Sequence, residues 1–315
     1  MAKKTLIVSL TGGLGNQLFQ LAAALKISNG EKIQLTAAYG NPRPFNSNNA
    51  DLFTLSLPNS VRIIKRKPAA FLIKKCVGYN LRMGTNPRNY EKYKFVKWFI
   101  KFTTNLLLFI DLYQYSTLVA GRGVGYCNIT LGKKNSFLVG YFQSYKWALD
   151  ANVKKELMKI KPLDNNKLLE SLILKAKIEK PLFVHVRLSD YKNEDRIGVL
   201  SKEYYFNSVR KQMEYGSYSK IWLFSDEAGI ARNYIPEEFK KVLTIVPDIS
   251  GSPAATLELL RHGSGYVIAN SSFSWWGAML AHKEGVRVIA PYPWFKKMES
   301  PIDLIPPNWE TLNPW

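Results

Sequence analysis

From residue 182 to residue 290 the chain alternates between short apolar runs and longer amphipathic stretches. The apolar runs Leu182–Arg187, Ile221–Ser225, Val242–Val246, Tyr266–Ala269 and Val286–Ala290 predict strands. The stretches between them, Lys202–Tyr215, Glu227–Tyr234, Ala254–Arg261 and Ser274–Lys283, predict helices. A helix between each pair of strands returns the chain to the same end of the sheet, so neighbouring strands run parallel. Runs without polar alternation suit a parallel sheet buried on both faces. The first half carries a sparser version of this rhythm. Thr5–Leu10 predicts a strand, Thr11–Gly15 a glycine turn, and Asn16–Ser28 a helix with Leu18, Leu21, Ala22 and Leu25 inward. Strands are expected again at Lys32–Thr36 and Phe137–Phe142, and helix over Asp150–Lys177 with a break at Pro162. Residues 41–60 read as loop, and the order of elements from 61 to 135 is not legible from pattern. A chain of 315 residues exceeds one comfortable core. Two α/β domains are expected, over residues 1–161 and 162–315.

Composition excludes several classes. Two cysteines, Cys76 and Cys127, make no disulfide framework and fit a reducing compartment. The first apolar run is too short for a signal peptide, and no stretch of 18 uncharged apolar residues predicts a membrane span. The formal net charge is +20, and residues 61–101 hold twelve Lys or Arg against one acid, Glu91. Phe71, Leu72, Ile73, Phe95, Val96, Trp98, Phe99 and Ile100 are interleaved with that charge. Such a segment suits a helix on an anionic bilayer, a nucleic-acid patch, or a solvated face beside a core helix. The expectation is peripheral contact with an anionic membrane and no nucleic acid.

Four polar constellations fall at predicted strand ends. Pro181–Tyr191 places His185, Arg187, Asp190 and Tyr191 within seven residues, with His185 and Arg187 on one strand face. A guanidinium there matches a diphosphate, because its planar fork pairs with phosphate oxygens; the bland alternative is a core strand whose Arg reaches solvent. Gly12-Gly-Leu-Gly-Asn-Gln17 lets backbone amides approach a ligand at a helix N-terminus. It lacks the Lys-Ser/Thr of a P-loop and the third glycine of a dinucleotide fingerprint. Asp226 follows Ser225 and suits ribose or guanine contacts, or else a helix cap. Asn270, Ser271, Ser272 and Ser274 crowd a helix start with more polar groups than a cap requires, and Phe273, Trp275 and Trp276 would pack behind them.

Gly12-Gly-Leu-Gly-Asn-Gln-Leu-Phe-Gln20, His185-Val-Arg-Leu-Ser-Asp-Tyr191, Phe224-Ser-Asp-Glu227 and Ile268-Ala-Asn-Ser-Ser-Phe-Ser-Trp-Trp-Gly-Ala278 occur in this order and spacing. Together they resemble the motifs of glycosyltransferase family 11, the α-1,2-fucosyltransferases. The resemblance implies an α/β fold of GT-B type, two Rossmann-like domains facing across a cleft, the C-terminal one holding GDP-fucose and the N-terminal one the acceptor sugar. It implies inverting transfer from GDP-β-L-fucose to a galactoside, without metal or other cofactor. The acceptor expected is a galactose-containing, lipid-linked oligosaccharide of a surface polysaccharide, at the cytoplasmic face of the plasma membrane. Residues expected at the donor are Gly13, Asn16, Gln17, Arg187, Asp226, Asn270, Ser271, Ser272 and Phe273; those expected at the chemistry are Asp190, Arg187 and His185. Three departures bear on donor and acceptor identity. Leu188 stands where the family has a second Arg, Ser252-Pro-Ala-Ala-Thr256 lacks an acidic pair, and Met279 replaces a Trp.

The chemistry agrees with this reading. Departing GDP leaves diphosphate charge that Arg187 and the amides near Ser271 and Ser272 would stabilise, and Asp190 is the nearest carboxylate able to take a proton. With no Asp-x-Asp and only three histidines, a dedicated metal site is not expected. Rival readings are transfer of another GDP-deoxyhexose of rhamnose type, and a non-catalytic protein binding carbohydrate or RNA.

Overall fold

Thr5–Ser9 (β1) is paired in parallel on both sides, with Lys32–Thr36 (β2) and with Asn135–Val139 (β5). Between them come helix Leu14–Ser28 (α1), strand Val61–Ile63 (β3), helices Phe71–Thr85 (α2) and Lys94–Leu112 (α3), and strand Ser116–Ala120 (β4). The sheet order is β3-β2-β1-β5-β4, all parallel. In this computed structural model the described residues are 5–41, 49–65, 69–85, 94–112, 116–120, 125–131 and 135–315. Part of the expected loop (42–48) and of the basic segment (66–68 and 86–93) lies outside them. The sheet and its first helix are locked by one buried amide. Gln20 Oε1 accepts from Thr11 N at 3.1 Å and its Nε2 donates to Gly140 O at 3.0 Å, joining the loops after β1 and β5.

Two short helices, Tyr145–Ala148 (α4) and Ala151–Met158 (α5), close this unit, which runs from Met1 to Leu163. Asp150 Oδ1 caps α5 by accepting from Asn152 N and Val153 N at 3.1 and 3.2 Å. The helix expected over Asp150–Lys177 is therefore two helices, the second being Lys167–Glu179 (α6). Pro162 cannot donate to a preceding carbonyl, and Asn166 starts α6 afresh by accepting from Leu169 N at 3.1 Å.

The second unit, Asp164–Trp315, carries the alternation read from sequence. Leu182–Val186 (β6), Lys202–Tyr215 (α7), Ile221–Ser225 (β7), Ala228–Ala231 (α8), Leu243–Ile245 (β8), Pro253–Leu260 (α9), Gly265–Val267 (β9), Ser272–Met279 (α10), Arg287–Pro291 (β10) and Glu310–Leu312 (β11) follow in turn. The helix expected over Glu227–Tyr234 is the four-residue α8 followed by a 3-10 turn at Arg232–Tyr234. The order is β11-β10-β9-β6-β7-β8, again all parallel. Every residue of β6 is buried, as a central strand covered on both faces requires. Val184, Val186, Leu223, Val209 and Ile289 share its core, each such side chain contributing about 1.5–3 kcal/mol on burial. Trp275 and Trp276 are wholly buried behind the start of α10. Among the described residues no helix is long and apolar enough to cross a membrane.

Candidate active site

β6 is where the second sheet changes direction: β7 and β8 lie to one side, β9 to β11 to the other. Loops leaving adjacent strands at such a switch point part to opposite faces and leave a crevice at the strands' carboxyl ends. The loop from β6 carries Arg187 and a 3-10 turn, Asp190–Asn193. The loop from β9 carries Asn270 and Ser271 into α10. Tyr191 ties the two, its hydroxyl donating to Asn270 O at 3.2 Å while its ring lies 5.8 Å from the Arg187 guanidinium.

Arg187 is held by one edge. Its Nε donates to Asp190 Oδ1 at 2.9 Å and lies 3.3 Å from Asp226 Oδ2. Its two terminal nitrogens have no partner among the described residues, so the fork of the guanidinium is left for a ligand. Burial opposes its charge, but the Asp190 hydrogen bond and the Asp226 and Asp190 charges outweigh that and raise its pKa. Asp226 also fastens the loop. It accepts from Leu188 N and Ser189 N, both at 3.0 Å, and from the Ser189 hydroxyl. Burial works against its charge, while Ser189, Arg187 and those amides bring its carboxyl below the usual range. Asp226 braces Arg187 from the neighbouring strand, and the short helix that follows, α8, takes no side-chain cap from it. Leu188, 1% exposed, packs into the core, so the loop offers one guanidinium where the family pattern has two.

The β9 side supplies amides. Ser271 Oγ caps α10 by accepting from Phe273 N at 3.3 Å. Asn270 is buried, its Nδ2 donating to Gly198 O at 3.0 Å while its Oδ1 has no hydrogen-bond partner. Ser272 and Phe273 stand half-buried at the helix start. His185 packs 6.2 Å from the Phe273 ring, and its buried Nδ1 has no partner. Burial, then the Arg187 charge, pushes its pKa down to about 3. His185 is thus a neutral imidazole, 7% exposed. It contributes shape and polarity under the crevice.

The neutral His185 has a consequence for stability. Its pKa falls from 6.5 to about 3 on folding, so between these values the unfolded chain holds a proton the folded chain refuses. Stability is then full above pH 6.5 and declines toward acid by about 1.4 kcal/mol per pH unit. Urea unfolding at pH 7 and pH 5 should show a loss about 2 kcal/mol larger in the wild type than in His185→Gln. Equal losses would mean that His185 titrates normally.

The first unit has its own switch point, between β1 and β5. Gly12 turns there at φ 74°, and Gly13 precedes α1 in extended conformation. Asn16 Oδ1 accepts from Gln143 Nε2 at 2.8 Å, joining the two strand ends. Gln143 was not singled out in the sequence; its place just beyond the Phe137–Phe142 run was the available signal. Gln17 departs from expectation. It is wholly buried, its Nε2 donating to Gly12 O at 2.7 Å and its Oε1 accepting from Leu52 N at 2.8 Å, so it shapes the glycine turn from within.

The sequence profile of glycosyl transferase family 11 matches residues 90–313. The chain belongs to glycosyltransferase family 11. It is 24% identical to an α-1,2-colitosyltransferase of Escherichia coli, over 96% of this chain and 97% of that protein. A second E. coli relative, the O-antigen biosynthesis glycosyltransferase WbnK, is 29% identical over 36% of this chain and 38% of its own. Among solved structures, the fucosyltransferase NodZ from Bradyrhizobium aligns over 96% of this chain and 100% of its own, with a TM-score of 0.53 at 14% identity. At that identity the likeness is one of fold. This family 11 glycosyltransferase has the GT-B architecture, with a Rossmann-like parallel sheet in each of its units.

One further cluster has metal-like spacing among the described residues: Glu258, His262 and His282, whose ligand atoms lie within 4.8 Å of one another. It sits at the end of α9 and beyond the C-terminus of α10, away from Ser271 at the other end. Arg261 Nη1 meets Glu258 Oε2 at 2.8 Å, and His282 N donates to Arg261 O at 2.8 Å. The cluster ties the end of α9 to the segment after α10.

Proposed function

We propose that this glycosyltransferase moves L-fucose from GDP-β-L-fucose to a galactoside 2-hydroxyl, inverting the donor to an α-1,2 linkage in O-antigen assembly. The observation that carries the reading is the half-held Arg187: its Nε is pinned by two carboxylates, and its open fork stands at the switch point beside the α10 amides. That is a receptor for a diphosphate. As the anomeric C–O bond to the diphosphate breaks, the Arg187 fork and the Ser272 amide take the developing charge. The acceptor oxygen bonds to the anomeric carbon from the opposite face and gives its proton to Asp190. Asn16, held by Gln143, orients the donor sugar or the acceptor hydroxyl.

Because phosphate charge is met by Arg187 and backbone amides, transfer should persist unchanged in EDTA. Abolition by chelation, with rescue by Mg²⁺ or Mn²⁺, would overturn the metal-free reading. The likeness to a colitosyltransferase supports a second reading, a GDP-colitose donor. Colitose is fucose without its 3-hydroxyl, and a site built to bond that hydroxyl rejects the deoxy sugar strongly. A side-by-side screen of GDP-fucose, GDP-colitose and GDP-rhamnose on a panel of galactosides, with linkage analysis of the product, decides among them. Transfer from none of these donors to any acceptor would sink the proposal.

A further inference from the structure

Helix α3 is apolar on both sides. Its inner face carries Thr104 and Leu108, both wholly buried, and packs on α2, where Ile73 and Val77 are buried. A buried hydrogen bond from Asn80 Nδ2 to Thr104 Oγ1, 3.0 Å, pins the two helices together. The pair sits on the first sheet through a core that includes Ile7, Phe137 and Val139. The outer face is the anomaly. Phe95, Trp98, Phe99, Phe102, Leu106 and Ile110 recur at helical three- and four-residue spacing, forming one stripe on the side away from Thr104 and Leu108. All six are exposed, Phe95 at 77% and Trp98 at 60%. At 1.5 Å per residue the stripe is about 22 Å long.

We propose that the outer face of α3, together with the adjoining start of α2, is the docking surface of this protein for an anionic lipid bilayer. Soluble surfaces rarely expose a contiguous apolar patch of this kind without a partner. Charge identifies which partner. Residues 61–101, which include α2 and the start of α3, hold twelve basic residues and one acid. Lys75 and Lys101 are exposed, and Lys75 Nζ lies 4.5 Å over the exposed Phe71 ring. Aromatic side chains at headgroup depth flanked by lysines are the pattern of a helix lying in a membrane interface. A second copy of the chain would bring the same positive field against itself, which disfavours pairing through this face. No described helix is long and apolar enough to span, so the helix lies on the surface rather than crossing it. The surface is independent of the donor assignment. It rests on the proposed function only in its use, which is to hold the first unit where a lipid-carried acceptor is presented.

The test uses the full chain and vesicles without any sugar nucleotide. Sedimentation with phosphatidylcholine vesicles containing about 30% phosphatidylglycerol should be strong at low salt, weaken as salt rises, and be at least about ten-fold weaker with phosphatidylcholine alone. The triple change Phe95→Ser, Trp98→Ser and Phe102→Ser should lower anionic binding about ten-fold or more, with turnover on a soluble galactoside retained. If that variant misfolds, Lys75→Glu, beside the exposed Phe71, tests the start of α2 by charge, and should weaken only the anionic binding. Equal binding to neutral and anionic vesicles, no binding to either, or a dimer in solution that the triple change dissolves would each overturn the proposal. Loss of transferase activity with vesicle binding intact would instead count against the enzymatic reading alone.

Discussion

Arg187→Lys is expected to weaken GDP binding by about ten- to a hundredfold and to lower turnover by about 10²–10³-fold. The substitution keeps the charge, so the size of the effect tests geometry. In the wild type Nε is occupied by Asp190 at 2.9 Å and approached by Asp226 at 3.3 Å, which orients the guanidinium plane. An ammonium can satisfy those carboxylates or reach a phosphate, but it has no second edge with which to do both. The loop offers no substitute, because Leu188 occupies the next position and is buried. Calorimetric titration with GDP and steady-state kinetics check the two parts separately. Wild-type values in Arg187→Lys would show that Arg187 only neutralises Asp190 and Asp226. Loss of turnover with unchanged GDP affinity would place its contacts on the departing charge alone.

How much of this was legible beforehand differs between the two units, for a physical reason. The strands of the second unit are uniformly apolar and separated by amphipathic helices, so the parallel sheet could be read directly. β11 escaped because it is three residues long and begins with Glu310, whose carboxylate accepts from Arg287 Nη2 at 2.7 Å. In the first unit, helices α2 and α3 hid in the stretch from 61 to 135. Pattern reading looks for one apolar stripe against a polar face. α3 keeps a helical period, but its apolar stripe, with Phe95, Trp98 and Phe102, is the exposed side, while Thr104 and Leu108 turn inward, so the pattern misassigns which face packs. The same residues that obscured the helix are those proposed to meet lipid.

The site was legible as residue types and strand ends, but less so as contacts. A strand that ends in Arg187 and Asp190 announces a crevice, whereas the partner of each group is set by strand order. Asp226 lies 37 residues or more from every group it braces in the loop of β6, brought there by the pairing of β6 with β7. Gln17 shows the opposite failure. A carboxamide after a glycine turn looks like a ligand contact, yet an amide can equally satisfy buried backbone groups, here Gly12 O and Leu52 N. Sequence carries no sign of which of the two it will do.

Asp190→Asn is expected to reduce turnover by about 10²–10⁴-fold with GDP affinity close to wild type. A sugar hydroxyl is a poor nucleophile, and the proposed chemistry needs a base within reach of the acceptor. His185 is set apart from that role by its burial, and Asp226 by the loop it fastens. Asp190, one-third exposed, remains at the crevice edge. Its ion pair with Arg187 defines the competing role. If its work is to orient the guanidinium, Asn keeps the shape but loses the charge, and GDP binding should weaken in step with turnover. The two roles therefore separate on affinity. Asp226 helps the separation, because it stays to hold Arg187 Nε after Asp190 is neutralised. A base also leaves a signature in pH: the acid limb of kcat present in the wild type should disappear in Asp190→Asn. Near-normal turnover in the variant would exclude Asp190 as the base. Parallel losses in GDP affinity and turnover would make it a positioning residue for Arg187, leaving a donor phosphate oxygen to receive the proton.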